Sequence, residues 1–536
     1  MTGPFFTGLW VQIPAVLGAL LVTRLVWGIL LSPLRAFDGP LLAKFTNIWR
    51  AWQAFDGHID WTYIQLHRRH GSVVRVGPNA LSISDRSLIR VIYSTRDPWK
   101  KSDSYRPNDA LVNGQRMSNL FNTQDEQWHA ENILPIRSLW RMSNVLDYES
   151  LIDETINKFV DKLGARFGGG QVCPADEWIG YFAWDVTANF SFGRHYGFID
   201  QEKDVDNLIT DSTKGLIYFA PVSQIPWIDH FLDKNPIVRI GPKPTLTGIL
   251  YAFKVVAEYQ ADLLKDSNVK PGTTVDHTLA KYVQLKETHP EMVTDVQIVN
   301  WLMLSILAGG DTSSAIMRAV VYHLAKNEDA YRALVAELTS AVPSLSMPAQ
   351  WKDIRDLPYL DAVIRESMRM NPGIAMVFER VAPPGGYTLP DGRYIPAGTK
   401  VGINPAVTGR DCGVFGEDVD VFRPERWLKQ DDGLEGEEEY QGRHRRMRDT
   451  CDFVFGAGAR VCMGRHLAML EMKKLIATLY YTFDLHLVDP KHEWSYRNAW
   501  FVYQSDMPMT ITRRKLKLNT KDFDGMKYSR ASKEST

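Results

Sequence analysis

The chain has 536 residues, 45% apolar and 23% charged, with a formal net charge of −1. That balance excludes a disordered chain and one built as a whole to bind nucleic acid, and the length admits either a few domains or one large catalytic domain. Its four cysteines, Cys173, Cys412, Cys451 and Cys462, form no CxxC pair and no zinc spacing, and are too few for a disulfide scaffold, which fits a reducing compartment.

In chain order, Phe5 to Thr23 contains no charged residue, and after Arg24 the chain stays apolar to Leu31. About 20 apolar residues suffice to cross a bilayer core as a helix. The basic residues Arg24, Arg35, Lys44 and Arg50 end or follow this stretch and none precedes it, so the pattern predicts an uncleaved single-pass anchor with the body in the cytosol. A cleaved signal peptide would have a basic start and a shorter apolar run. Ser32-Pro33 and Asp38-Gly39-Pro40 turn the chain into its body.

Gly71 to Asp85 alternates around Gly77-Pro78 as a hairpin does. Asn144 to Phe167 reads as a helix. So does the stretch from Asp276 to Asn327, whose later part, Val296 to Leu324, is almost continuously apolar and is expected to be a buried central helix. Leu357 to Met370 is amphipathic and stops at Asn371-Pro372. Short strands are expected over 385–404, turning at Asp391-Gly392 and Ala397-Gly398. The polar stretch from Lys429 to Asp452 reads as a solvated loop, and 519–536 as a frayed tail. The predicted organisation is an anchor over 1–32, one mainly α catalytic domain with a smaller β region over 33–518, and a disordered tail over 519–536.

Three strings carry chemistry. The first runs Phe455-Gly-Ala-Gly-Ala-Arg460-Val-Cys462-Met-Gly464. Glycines let backbone amides approach a sulfur closely, and a shielded thiolate so placed suits a metal ligand. The second is Glu366-Ser-Met-Arg369, whose i,i+3 spacing puts acid and guanidinium on one helix face, together with Phe422-Arg-Pro-Glu-Arg426-Trp427. The third is Ala308-Gly-Gly-Asp311-Thr312-Ser313, two glycines and an acid inside an apolar helix, where each is costly unless needed.

Together these strings resemble the cytochrome P450 family, and the first matches its haem-binding loop, F-x-x-G-x-R-x-C-x-G, at every fixed position. The resemblance implies a haem b whose iron takes its axial thiolate from Cys462, a ligand that favours O–O cleavage. Phe455 and Gly464 would frame the sulfur and Arg460 would hold a haem propionate. Glu366, Arg369 and Arg426 would form a buried triad that locks the cysteine loop, a structural role. Asp311 and Thr312 would be the catalytic pair of the oxygen-activation segment, Thr312 ordering the distal oxygen and Asp311 supplying protons, with Gly309 and Gly310 loosening the helix. Trp128 and Arg380 would reach propionates. Asn132 stands where the family commonly has arginine, and His129 is a substitute for that contact. The wording of SDSYRPNDA, ERVAPPGGYTLP and RNAWFVYQSD is similar to fungal pisatin demethylase-like enzymes of specialised metabolism.

The activity so implied is insertion of one atom of O2 into a largely apolar organic substrate, as a tailoring step in fungal secondary metabolism. Electrons would come from NADPH through a separate reductase, with cytochrome b5 as a second donor, at the endoplasmic reticulum membrane; no nucleic acid is implied. Arg443, Arg445, Arg446, Arg448, Lys473 and Lys474 are a candidate docking face for that reductase, or simply solvated charge. Segments 103–125, 208–227, 374–378 and 500–503, with the helix near Leu304, would face the substrate. Two other readings stay open: a haem-thiolate isomerase or dehydratase that needs no O2, which the Asp311-Thr312 pair disfavours, and a haem sensor without turnover.

Overall fold

The computed structural model describes residues 26–514 except 113, 241–245, 266–276, 342–345 and 430–434, with isolated positions 16, 18, 19 and 23 before them. Most of the expected membrane span and the 519–536 tail lie outside the described residues. Among the described residues no helix is long and apolar enough to cross a membrane.

The molecule is mainly helical with small sheets. Its axis is the helix Asp295–Lys326, opened by a capping box in which Thr294 and Gln297 satisfy each other's backbone N–H groups. It packs on the helix Ala175–Phe192, nearly every residue of which is buried. Gly309 and Gly310 make that approach possible. A Cβ on Gly310 would lie 2.7 Å from Trp184 Cδ1, and one on Gly309 would lie 2.8 Å from Thr187 Oγ1. The helix is α-helical without a break through this segment. The two glycines therefore allow the two helices to pack closely.

The expected hairpin forms as Val73–Gly77 paired antiparallel with Ala80–Ile83. The second strand then pairs in parallel with Lys400–Ile403, which in turn pairs with Arg380–Val381, so the early and late β segments make one four-stranded sheet. A bridge between Lys101 and Arg380 extends this edge towards the centre.

One stretch departs from expectation. Glu437–Cys451 is a helix, not a solvated loop. Three glutamates occupy its first turn and Arg448 its last, the arrangement that suits the helix dipole. Arg443 fastens it by bonds to Glu435 and to the carbonyl of Leu428, and Met447, Thr450 and Cys451 are buried beneath it.

Candidate functional site

A cavity of about 340 Å³ lies between the central helix and the loop 453–464. Cys462 opens into it; Cys173, Cys412 and Cys451 do not. Cys451 is buried, with its thiol directed at the carbonyl oxygen of Arg365. The loop geometry follows from its glycines. Gly456 and Gly458 have φ of +73° and +64°, and a Cβ on Gly458 would fall 1.7 Å from the carbonyl oxygen of Tyr93. Only glycine fits there. Gly464 is different: its φ is −79° and a Cβ would meet nothing closer than the Trp140 ring at 3.8 Å. It caps the helix Arg465–Thr482 and its N–H, with that of Arg465, points at the Cys462 sulfur. Cys462 is exposed to the cavity, but the protein packed around it desolvates the thiol and raises its pKa, while these two N–H groups and the Arg465 charge oppose that shift. The Cys462 N–H itself donates to the Phe455 carbonyl at 2.7 Å, closing the loop.

Cations gather at one corner of the cavity. Arg380, Arg460 and Lys101 all line it, as does His129. Arg460 is paired with Glu126 at 2.8 Å and donates to the carbonyls of Leu120 and Thr123. Arg380 is 4% exposed, donates to the Glu379 carbonyl, and keeps a buried Nε that finds no partner. Lys101 is 7% exposed, donates to the Phe121 carbonyl, and stands over the rings of Tyr105 and Phe121 at 4.2 and 4.6 Å. Burial, then the charges of Arg380 and Arg460, hold the Lys101 pKa well below its ordinary value. His129 is driven down to about 3 by burial and by the same three cations, so it is a neutral imidazole at physiological pH. Two buried arginines and a buried lysine against one carboxylate, with a guanidinium nitrogen that has no partner among the described residues, suit the binding of anions. A haem, with an iron for the thiolate and two carboxylates for this corner, fits that donor set.

The remaining sequence-picked residues separate. Thr312 is on the wall, its hydroxyl donating to the Ala308 carbonyl at 2.7 Å. Asp311 faces the other way. Its carboxylate accepts from Trp184 Nε1 at 2.9 Å, Ser212 Oγ at 2.9 Å and Tyr503 Oη at 3.0 Å, and it meets the cavity only through Ser212. Burial raises its pKa and the three donors oppose that. Trp128 packs against the core and is off the wall. Asn132 is engaged too, donating to the Trp128 carbonyl and accepting from Gln297. Glu366, Arg369 and Arg426 form a buried cluster against the 409–427 segment, Glu366 receiving Arg369 in two bonds of 2.7 and 2.8 Å and Arg426 in one of 2.9 Å.

Sequence reasoning missed Lys101 and Glu471. Lys101 sits in a polar stretch with no pattern to mark it. Glu471 did leave a signal, an acid set among the apolar residues of LAMLEM. The proposed basic face needs correction: Lys473 is buried on Asp361 and the Arg355 carbonyl, and Lys474 on Glu149 and Asp153. Arg443 is spent on Glu435. Only Arg445, Arg446 and Arg448 of that set are exposed.

All five segments expected to face the substrate contribute wall residues, among them Phe121, Leu216, Phe219, Leu304, Ile374 and Trp500. The cytochrome P450 family profile matches residues 40–510. A cytochrome P450 monooxygenase of Penicillium roqueforti, mpaDE, is 35% identical over 510 residues, 94% of this chain and 58% of that protein. This chain thus spans little more than half of that relative. The cytochrome P450 monooxygenase cfoH of Aspergillus candidus is 34% identical, with 92% of each chain covered, and cicH of Emericella nidulans is 34% identical over 89% of this chain and 93% of its own. With a glycine-framed cysteine facing a cavity that ends in buried cations, and matches that run almost end to end, the chain belongs to the cytochrome P450 family and is a P450 monooxygenase.

Proposed function

We propose that Cys462 is the axial thiolate of a haem seated in this cavity, and that the chain inserts one atom of O2 into a largely apolar substrate as a tailoring step of fungal secondary metabolism. One observation carries the reading: of four cysteines, only Cys462 reaches the cavity, and two backbone N–H groups meet its sulfur. When bound, the haem supplies the reductive activation of O2. Arg380, Lys101 and Arg460 would hold its two carboxylates, and neutral His129 offers them one N–H. Phe455, which lines the cavity and accepts the Cys462 N–H, would limit water at the sulfur. Thr312 presents a hydroxyl whose proton is committed to Ala308, so towards the cavity it accepts. Asp311 communicates through the Ser212 hydroxyl. Phe121, Leu216, Phe219 and Trp500 give the substrate an apolar enclosure. The matches to fungal monooxygenases support the metabolic setting.

Family membership implies a reductase. An NADPH–cytochrome reductase, with cytochrome b5 as second donor, is the partner proposed, docking at Arg445, Arg446 and Arg448. The proposal also places the chain on the endoplasmic reticulum membrane through the apolar stretch 5–31. An exposed apolar face supports this: Ile48, Trp52 and Phe55 on one helix and Trp227 and Phe231 near it are each more than half exposed, their two segments tied by Arg50 Nε to Gln224 Oε1 at 3.0 Å. Removal of residues 1–31 should weaken binding to vesicles and leave haem content unchanged. A truncated chain that floats with vesicles as fully as the whole chain would refute the anchor.

The ligand is tested by the reduced carbon monoxide spectrum, whose Soret band is red-shifted by a thiolate. Cys462→His should lose that band and Cys451→Ser should keep it; the reverse pattern would move the ligand. Deletion of the gene should make an unoxidised precursor accumulate.

A further inference from the structure

The polar groups on the cavity wall divide by whether their protons are already spent. Along the central helix, Ser305 donates to the Trp301 carbonyl at 3.1 Å, Thr312 to that of Ala308 at 2.7 Å, and Ser313 to Glu471. Ser212 donates to Asp311 at 2.9 Å and Thr187 to the Ala183 carbonyl at 2.7 Å. Towards a guest, each of these hydroxyls accepts. Asn119 and Asn108, which also line the cavity, keep protons to give.

Asn119 is 4% exposed. Its Oδ1 accepts the N–H groups of Phe121 and Asn122 at 2.8 and 3.1 Å, and its own backbone N–H donates to Asn122 Oδ1 at 2.7 Å. Two donors on one side-chain atom identify that atom as the oxygen and hold the amide plane still. Nδ2 is left with no partner among the described residues. The Asn108 side chain likewise bonds to none of them. The wall nearby is aromatic: Phe121 and Phe219 pack on Trp500 with ring centroids 6.1 and 4.6 Å away. An amide N–H2 withdrawn from water in such surroundings costs free energy until an oxygen meets it.

We propose that Asn119 determines specificity by donating from Nδ2 to a carbonyl oxygen of the substrate, with Asn108 as a second amide from the same segment. The substrate is then an apolar molecule that carries a ketone, ester or lactone, not a plain hydrocarbon. The proposal rests on the haem-thiolate reading above and names the substrate class of that site. A carbonyl has no proton to give, so the spent hydroxyls cannot serve it, whereas the open amide can. A site built to bond a substrate oxygen also rejects the analogue that lacks it, because its own buried group is then left unpaired. The haem carboxylates have the cations Arg380, Arg460 and Lys101 to meet them. Ser118, the residue before Asn119, is held elsewhere, its carbonyl accepting from Asn300 near the start of the central helix at 3.2 Å.

The test is a titration of the full holoenzyme with matched hydrocarbons and ketones: indane with 1-indanone, tetralin with 1-tetralone, and fluorene with fluorenone. Binding is read from the Soret shift and, independently of the iron ligand, from quenching of tryptophan fluorescence, since Trp301 and Trp500 line the cavity. Asn119→Asp keeps Oδ1 for the turn and puts an acceptor where the N–H2 stood. Its ratio of ketone to hydrocarbon dissociation constants should rise about tenfold over the native ratio, the worth of one hydrogen bond, with the thiolate carbon monoxide spectrum retained. A purely structural role in the turn would weaken both members of a pair alike and leave the ratio fixed. If Asn119→Asp does not load haem, the same ratio in Asn108→Leu, which removes no hydrogen bond to a described residue, decides. A ratio that stays at the native value in every pair overturns the proposal. So does faster haem loss from Asn119→Asp with the ratio unchanged, which would give the amide to a haem carboxylate. Absence of the thiolate spectrum from the native enzyme would instead overturn the ligand assignment while the fluorescence ratio still judges Asn119, so the two failures are distinct.

Discussion

Two of the buried charge clusters in this molecule are solved in opposite ways. Around Glu366 every charge is answered. The carboxylate takes two bonds from Arg369, one from Arg426, one from the Trp427 indole and one from the Arg423 N–H. Arg369 spends its remaining nitrogen, Nη1, on the carbonyls of Gly409 and Val419, and Arg426 turns its own Nη1 to Asp418. Among the described residues, the corner formed by Lys101, Arg380 and Arg460 has one ion-paired carboxylate, Glu126, and a guanidinium nitrogen without a partner. A closed cluster stabilises the fold that holds it; an open one stores a cost that an arriving anion relieves. The difference separates architecture from binding site without appeal to motif.

Substitution tests that separation, and the largest effect belongs to the closed cluster. Glu366→Gln leaves Arg369 and Arg426 buried with a neutral partner and should cost about 3–5 kcal/mol, read as a large drop in thermal unfolding temperature and in haem-loaded protein recovered. Glu366 is held below the ordinary glutamate range by the two arginines, burial opposing. Its contribution is therefore fully present above that range and lost as pH falls through its folded pKa. In the open corner, Arg380→Gln should leave the unfolding of haem-free protein unchanged or slightly raised, and quicken haem loss to an acceptor on the order of tenfold, about 1.4 kcal/mol. If Arg380→Gln destabilised the haem-free chain as severely as Glu366→Gln, the corner would be architecture as well.

How far each cluster could be foreseen follows from its locality. Glu366 and Arg369 are three apart on one helix, and Cys462 sits in a ten-residue string, so spacing or a short motif exposes them. Lys101 and Arg380 meet through a single bridge across 279 residues, and no periodicity spans that distance. Asp311 and Thr312 are adjacent, yet the helix turns one into a packing interface and the other to the cavity, a distinction that depends on Trp184, Ser212 and Tyr503. The 437–451 helix escaped notice because its pattern is charge, not apolar periodicity, and Lys473 and Lys474 looked solvated because their carboxylate partners come from distant helices.

The smallest effect is the sharpest test of sign. Lys101 is charged in the unfolded chain up to about pH 10.4, whereas in the folded chain burial and the charges of Arg380 and Arg460 hold its pKa well below that. Between the two values the unfolded state binds more protons than the folded state, so folding stability rises with pH, opposite in origin to the acid loss at Glu366. Haem-free protein should therefore gain stability as pH is raised into the alkaline range. Lys101→Met, which retains most of the side chain's volume and removes the charge, should be more stable than the native chain near neutrality and should lose most of that gain with pH. Loading with haem should shrink the difference between the two, because its carboxylates supply the counter-charge that Glu126 alone does not. A native chain whose stability stays flat from neutral to alkaline pH, or a Lys101→Met variant with the same slope, would mean that Lys101 is already compensated, and the corner would no longer count as open.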